Sequence, residues 1–576
     1  MSGVLDHAAM ALHPEVAARL DRLAMDQREA ATCPPGPILC VAPAGSGKTT
    51  TLVARVAWLV ASGVDPTTIA AITFNRRAAD ELAERLREAL RPLEVDAETV
   101  RVRTFHALGR EILRASGHRV DPIVDRLAVL RRIAPGAGPA GWQRLDTLLS
   151  RLKLEHGLNA EDVAVDEAGP AAQLLADYER AVAEAGGLDF DDLVAHALRV
   201  LSSDGEALAT WRRRCAHLLV DEVQDVDRSQ LRLALLLAAP ENRIFLVGDD
   251  DQSIYGWRLA DVRRVLDLGS SLPGLRRIDL VTNYRCPGPV VERAIRLVEG
   301  NRERFSKRIV ARSDAVGRLV LAPDGRDDVV RLRAIVAAFG PEDGSSRAVL
   351  ARTNRELLPA AAAALALEVP FRAERLTLLV ESPIVDDLLA PMTGSGPLLV
   401  ELGGLVRAER AAVHAAIPPD DPDGAYHTPD GAPHDGSPDR LAVARALLGW
   451  AAACPDLPAL RAAIAETRSR LAALRRDDAA LTLATAHGTK GLEFDHVAVI
   501  GLEEGRFPSA RSVADASEPE RALEEERRLA YVAWTRARQS LTLVYDPATP
   551  SRFLLEAFTP AELGLAADAA PPATIA

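Results

Sequence analysis

Ala42-Pro-Ala-Gly-Ser-Gly-Lys-Thr49 is the stretch that decides the fold. The apolar run Pro37-Ile-Leu-Cys-Val41 leads into it, and a helical pattern follows. Strand, glycine-rich turn and helix together form the context of a phosphate-binding loop. Glycines let backbone N–H groups turn inward around a polyphosphate, and the helix adds its positive N-terminus. Ala44, Gly45, Ser46, Gly47 and Thr50 are the expected nucleotide-binding positions around Lys48, which would reach the β/γ-phosphates of ATP. Thr49 would hold Mg²⁺. Ala42 replaces the first glycine of GxxxxGK[ST], and Pro43 brings no N–H to the loop.

A second element completes such a site. His217-Leu-Leu-Val-Asp-Glu222 reads as an apolar strand ending in two carboxylates. Beside a phosphate loop, Asp221 can enter the Mg²⁺ shell, and Glu222 can orient and deprotonate the attacking water. The next strand ends in Val247-Gly-Asp-Asp-Asp-Gln-Ser-Ile-Tyr-Gly-Trp-Arg258. Gln252 is the polar residue expected to report the γ-phosphate. Tyr255 and Trp257 form a sequence-tolerant platform for stacking bases.

Outward from these motifs, apolar runs alternate with helical periods in two blocks. The first has runs at 38–42, 69–74, 100–105, 218–221 and 244–248, and the second at 319–322, 348–351, 481–485, 497–501 and 541–545. Such alternation predicts an α/β chain with two parallel, doubly wound sheets. Each block is interrupted by a mostly helical stretch, near 108–189 and near 389–479. The second contains Pro418 to Asp439, with six Pro, six Asp and three Gly, a composition that cannot bury enough surface to order itself.

The bulk numbers narrow the class. A chain of 576 residues suggests about four domains. No apolar run reaches the roughly 18–20 residues of a membrane span, so no membrane partner is expected. The N-terminus lacks signal-peptide character. Five scattered cysteines show no metal spacing, which places the chain in a reducing cytoplasm. The net charge of −13 argues against nonspecific nucleic-acid attraction but not against a local basic groove.

Taken in order, the motifs resemble the superfamily 1A helicases of the UvrD/Rep/PcrA type. Asp221-Glu-Val-Gln-Asp225, Val247 to Arg258 and Asn283-Tyr-Arg285 carry the resemblance. So do Thr485-Ala-His-Gly-Thr-Lys-Gly-Leu-Glu493 and Glu524 to Ala537. Thr73-Phe-Asn-Arg-Arg-Ala-Ala79, Thr104-Phe-His106 and Gln27 in Leu23-Ala-Met-Asp-Gln-Arg28 agree with it. The resemblance implies two RecA-like P-loop domains, each with a largely helical insertion. They are 1A (1–107 and 190–276), with 1B (108–189), and 2A (277–388 and 480–560), with a reduced 2B (389–479). The 2B insertion would hold a disordered linker near 418–439, and a tail would span 561–576.

By the same resemblance, Gln27 would read the adenine edge while Tyr284 stacks on the ring. Arg285 and Arg536 would reach the γ-phosphate from 2A, and Glu493 would bind the nucleotide near the ribose or the γ-phosphate sensor network. Catalysis would rest on Glu222, Lys48, Gln252, Arg285 and Arg536. Single-stranded DNA would meet Phe74, Thr104, His106, Tyr255, Trp257, Arg258 and His487. The implied activity is ATP-dependent 3′→5′ movement on single-stranded DNA, with unwinding of 3′-tailed duplex. The short 2B suggests an alternative, a DNA-sensing ATPase subunit of a nuclease-containing repair or anti-phage defence complex of the Gabija type.

Overall fold

The computed structural model describes residues 12–158, 169–339, 343–415 and 440–565. The linker expected near 418–439 lies outside the described residues. Two six-stranded sheets dominate, and all their pairings are parallel. The first contains β1 (Ile38–Val41), β2 (Ile69–Thr73), β3 (Arg101–Thr104), β4 (His217–Val220), β5 (Ile244–Gly248) and β6 (Arg276–Asp279). Their spatial order is β3-β2-β4-β5-β1-β6. β1, β2 and β5 are buried along their whole length, because helices cover both faces of the sheet. Their sequences are therefore continuous apolar runs rather than alternating ones.

β6 escaped the sequence reading, and it carries the first sheet three residues past the boundary expected at 276. It is an edge strand, Arg276-Arg-Ile-Asp279, in which only Ile278 is buried, so it lacks an apolar run. A two-residue ribbon of β7 (Thr282–Asn283) and β8 (Val310–Ala311) follows.

The second sheet comprises β9 (Arg318–Pro323), β10 (Arg347–Ala351), β11 (Phe371–Arg372), β12 (Leu481–Thr485), β13 (Phe494–Val499) and β14 (Ala537–Tyr545). It is ordered β11-β12-β10-β13-β14-β9. Both interruptions are helical in the described residues. The first has helices Arg126–Ile133, Gly138–Ser150 and Pro170–Glu184 around Leu130, Leu149, Leu175 and Tyr178. The second has helices Leu398–Ala415, Arg440–Ala451 and Leu457–Leu474 around Leu402, Val443, Leu447 and Leu460.

The chain stays packed beyond 561, where the sequence reading begins a solvated tail. Leu563 is buried against the second core, and its carbonyl accepts from the Tyr545 hydroxyl at 3.3 Å. The apolar spacing Leu563/Leu565 is too short to stand out in an Ala-rich run.

The two sheets are joined by a shared core. Ala44 of the phosphate loop and Ile254 after β5 belong to one apolar cluster with Val290, Tyr531 and Trp534 of the second half. The crevice beyond the C-terminal ends of β1, β4 and β5 therefore opens against the second sheet's elements.

Candidate functional site

β1 delivers the chain into Ala42–Gly47, and Lys48 begins the helix Lys48–Ala61, so that helix's first N–H groups face the loop. Gly45 and Gly47 sit at φ +69° and +84°, a region that costs most residues strain. Space requires them as well. A Cβ on Gly45 would lie 2.7 Å from the Arg285 Cβ, and one on Gly47 would lie 2.6 Å from Gln27 Nε2. Ser46 Oγ is buried with no hydrogen-bond partner among the described residues, and so can meet a ligand.

A cavity of about 770 Å³ is lined by Ala44 to Thr50, Asp221, Glu222, Gln252, Tyr284, Arg285, Glu493 and Arg536. A second hollow of about 490 Å³ shares Gly47, Thr50 and Tyr284 with it and adds Leu23, Ala24 and Gln27. Gln27 is fixed there, since its Nε2 donates to Ser46 O at 2.8 Å and its Oε1 accepts from Ala24 N at 3.1 Å. The Asn283–Arg285 segment docks on the loop through Asn283 Nδ2 to Ala44 O and Tyr284 N to Gly45 O, both 2.8 Å.

Lys48 Nζ lies 3.1 Å from Glu222 Oε2. Burial opposes ionisation of Glu222, but Lys48 and Lys490 outweigh it and hold the carboxyl low, at about 2. Burial, reinforced by the Glu222 charge, pushes Asp221 up, to about 7. Glu222 also has φ 51°, a region that costs a non-glycine residue strain. Thr49 and Asp221 share the cavity wall and offer oxygen donors only, the set a hard divalent cation takes.

The second domain closes the cleft. Arg536 is almost fully buried and donates to Val532 O at 2.8 Å, Leu492 O at 3.1 Å and Gln252 Oε1 at 3.2 Å. Burial and the neighbouring Arg285 bring its guanidinium down to about 9, so the site gains by the arrival of negative charge. Gln252 Nε2 donates in turn to Asp249 Oδ2 at 2.7 Å. Arg285 pairs with Glu493 at 2.6 Å and reaches Thr535 O at 3.2 Å. Glu493 is therefore the partner of Arg285, and Arg538 bonds its other oxygen.

A few residues past Gln252 the chain enters an aromatic face. Phe74 and Tyr255 stack on each other, with centroids 5.1 Å apart and planes 16° from parallel. They thus form one stacked pair rather than two separate platforms. Trp257 meets Tyr255 edge-on at 6.2 Å, is 59% exposed, and carries Arg258 over its ring at 4.6 Å. His106 packs on Phe190 at 4.4 Å. Thr104 is occupied locally, because its hydroxyl accepts from Ala107 N and caps the helix Phe105–Ala115. His487 is half-buried, and burial, then Arg352 and Lys490, drive it down to about 3, so it stays neutral.

Sequence reasoning missed Phe190, a 57% exposed ring, and Lys490. Phe190 lies in Asp189-Phe-Asp-Asp192, where flanking acids mask an apolar signal. Asp189 and Asp192 turn inward onto the buried Lys153 at 3.0 and 2.7 Å, leaving Phe190 to face out. The signal available was an aromatic isolated among acids.

A phosphate loop, paired carboxylates at a strand end, and arginines of a second parallel sheet facing the same cleft define a two-domain P-loop nucleotide hydrolase. The comparisons narrow this class. Residues 23–273 match the UvrD/REP helicase N-terminal domain and residues 460–547 the UvrD-like helicase C-terminal domain. DNA helicase II of Escherichia coli is 28% identical over 94% of this chain and 88% of its own length. ATP-dependent DNA helicase Rep of the same organism is 27% identical over 93% and 94%. ATP-dependent DNA helicase PcrA of Bacillus subtilis is 27% identical over 90% and 82%. The chain belongs to the UvrD-like superfamily 1A helicases and is an ATP-hydrolysing enzyme. The alternative of a sensor subunit in a nuclease complex finds no support in these likenesses. No helix among the described residues is long and apolar enough to cross a membrane.

Proposed function

We propose that this ATP-dependent DNA helicase moves 3′→5′ along single-stranded DNA and displaces the strand ahead of it on 3′-tailed duplex. The direction is the one that the resemblance to the UvrD/Rep/PcrA type implies, and the observation that carries the coupling of hydrolysis to DNA is the position of Lys490, contributed by the second half of the chain. Its Nζ donates to Gln252 O at 2.6 Å, pairs with Asp225, and lies 5.1 Å from the Tyr255 ring centre. One cation thus touches both the glutamine at the nucleotide cavity and the aromatic face, so a change in the cleft reaches the rings directly.

In this reading ATP lies with its phosphates along Gly45–Thr50 and its adenine between Gln27 and Tyr284. Lys48, Arg285 and Arg536 face the charge that develops on the transferred phosphoryl group. Glu222, held ionised, accepts the proton of the attacking water. Thr49 and Asp221 would hold Mg²⁺, which when bound neutralises the β- and γ-oxygens. Because the arginines come from across the cleft, hydrolysis depends on closure, and release of the phosphate permits opening. Trp257, the Phe74–Tyr255 pair, Arg258, His106 and His487 take successive nucleotides, and opening and closing shift the strand between them. The DNA partner is thus single-stranded DNA, and the five free cysteines suit a reducing cytoplasm.

The test is ATP hydrolysis with and without single-stranded DNA, followed by strand displacement on 3′-tailed and 5′-tailed duplexes. Strong stimulation with displacement from the 3′ tail alone is expected. Displacement from the 5′ tail alone would overturn the polarity. Hydrolysis indifferent to DNA would overturn the coupling.

A further inference from the structure

Three consecutive glutamates open the buried part of the helix Pro519–Trp534, and they are used differently. Glu524 accepts from Arg302 N at 2.9 Å and from Arg528 at 3.2 Å. Glu526 grips Arg352 through both oxygens at 2.6–3.0 Å. Glu525, between them, has no arginine or lysine within ion-pair distance among the described residues. Its Oε1 instead accepts the Gly256 N–H at 3.0 Å, across the domain boundary. Burial raises its carboxyl, and the Gly256 N–H, followed by Arg528 and Arg352, only partly offsets the cost.

The contact is tight as well as polar. A Cβ on Gly256 would lie 2.4 Å from Glu525 Oε2, so the missing side chain makes room for the carboxylate. The glycine's backbone is not left-handed, hence space and not conformation is what demands it there. Gly256 lies between Tyr255 and Trp257. The helix that carries Glu525 runs to Trp534, and two residues later Arg536 touches Gln252. One buried, rigid helix therefore ends on the nucleotide cavity and holds the base-stacking loop by its backbone along its side.

We infer that Glu525 is a positioning residue that carries the state of the nucleotide cleft to the Tyr255–Trp257 loop. It acts through the Gly256 N–H and does not touch nucleotide or DNA itself. This inference rests on the DNA-translocase reading above. When the helix moves with Arg536 as the cleft opens or closes, Glu525 drags the loop. Lys490 contacts the same ring from another strand–loop, so the loop has two holds, one on the ring and one on the backbone.

The experiment measures the Kd for a fluorescent single-stranded oligonucleotide with and without a non-hydrolysable ATP analogue, together with DNA-free and DNA-stimulated ATPase rates. In the parent protein the two Kd values differ, by a factor that for coupled sites is commonly about 5–150. In Glu525→Ala that factor should fall to within about twofold of one, with the DNA-free ATPase rate and the thermal midpoint retained. Glu525→Gln, which keeps an acceptor oxygen, should restore most of it. Gly256→Ala should impair DNA-stimulated turnover alone but less so in the Glu525→Ala background, where the clashing oxygen is gone.

A parent-like factor in Glu525→Ala overturns the inference, as does equal weakening of DNA binding in both nucleotide states, which is the mark of a merely structural residue. Absence of any nucleotide effect in the parent protein would instead overturn the translocase reading on which it rests.

Discussion

Replacing Lys307 by Met should destabilise the closed molecule more than most single substitutions. Lys307 is 1% exposed, and its ammonium lies 2.8 Å from Asp249, 2.9 Å from Asp251 and in contact with Asp250, all three buried at the end of β5. It comes from the segment between the helix Gly288–Val298 and β8, so it ties the second half of the chain to the first. Without it, Asp251 keeps Arg304 at 2.9 Å, but among the described residues Asp250 keeps only the Phe305 N–H at 2.8 Å. Removing one partner of a buried ionic cluster costs about 3–5 kcal/mol, because charges are left without compensation. The midpoint should fall by roughly 6 °C or more, at about 2–4 °C per kcal/mol for domains of this size.

The cost should also depend on pH. In the parent, burial raises Asp250 while Lys307 holds it down. Loss of the ammonium lets the Asp250 carboxyl rise further above its unfolded value. A carboxyl raised on folding binds more protons folded than unfolded, so stability falls as pH rises. The deficit of Lys307→Met should therefore be larger near pH 8 than near pH 5. Urea unfolding at both pH values, followed by tryptophan fluorescence, measures it. A loss below about 1 kcal/mol, or a deficit that shrinks as pH rises, would refute the reasoning. Asp249 also holds Gln252, so DNA-free turnover should fall in parallel.

Glu222→Gln should keep ATP and DNA binding yet abolish turnover, and hydrolysis retained in a radiolabelled-phosphate assay would remove Glu222 from the role of base. Arg536→Lys keeps a cation but loses the planar fork that spans Val532 O, Leu492 O and Gln252. Its kcat should drop about 10³-fold or more while the Kd for ATP changes little, which stopped-flow kinetics and calorimetry separate. Trp257→Ala and Phe190→Ala should each weaken single-strand binding by about 1–3 kcal/mol with the DNA-free ATPase rate unaltered. Fluorescence anisotropy at fixed salt reads the change, and an unaltered affinity would mean that the ring packs on protein and not on bases.

Most of the nucleotide cavity was legible because its parts are local. Gly45 and Gly47 announce a turn, Lys48 and Thr49 follow it, and Asp221-Glu222 closes an apolar run. Each of these needs only neighbouring residues to be understood. β1, β2, β4 and β5 were visible for the same reason, since a strand covered on both faces must be apolar throughout. β6 was not, because an edge strand that buries only Ile278 carries no such run. Lys153 and Lys307 could not be recognised as buried cations, since a lone lysine reads as solvated until its acids are brought to it. Phe190 stayed hidden among aspartates whose inward turn depends on Lys153.

By itself, then, the sequence determined a phosphate loop, paired carboxylates, two alternating αβ blocks and an ordered set of motifs. All of these follow from short-range periodicity and turn chemistry. Only the tertiary structure decided which motifs touch. Gln252 meets Arg536, Lys490 stands between Gln252 and Tyr255, Glu525 holds Gly256, and Phe74 and Tyr255 share one platform. These contacts join residues far apart in the chain, and their free energy is realised only once two sheets have folded and docked. Burial then removes competing water, fixes each donor on one acceptor and gives the polar pairs their strength.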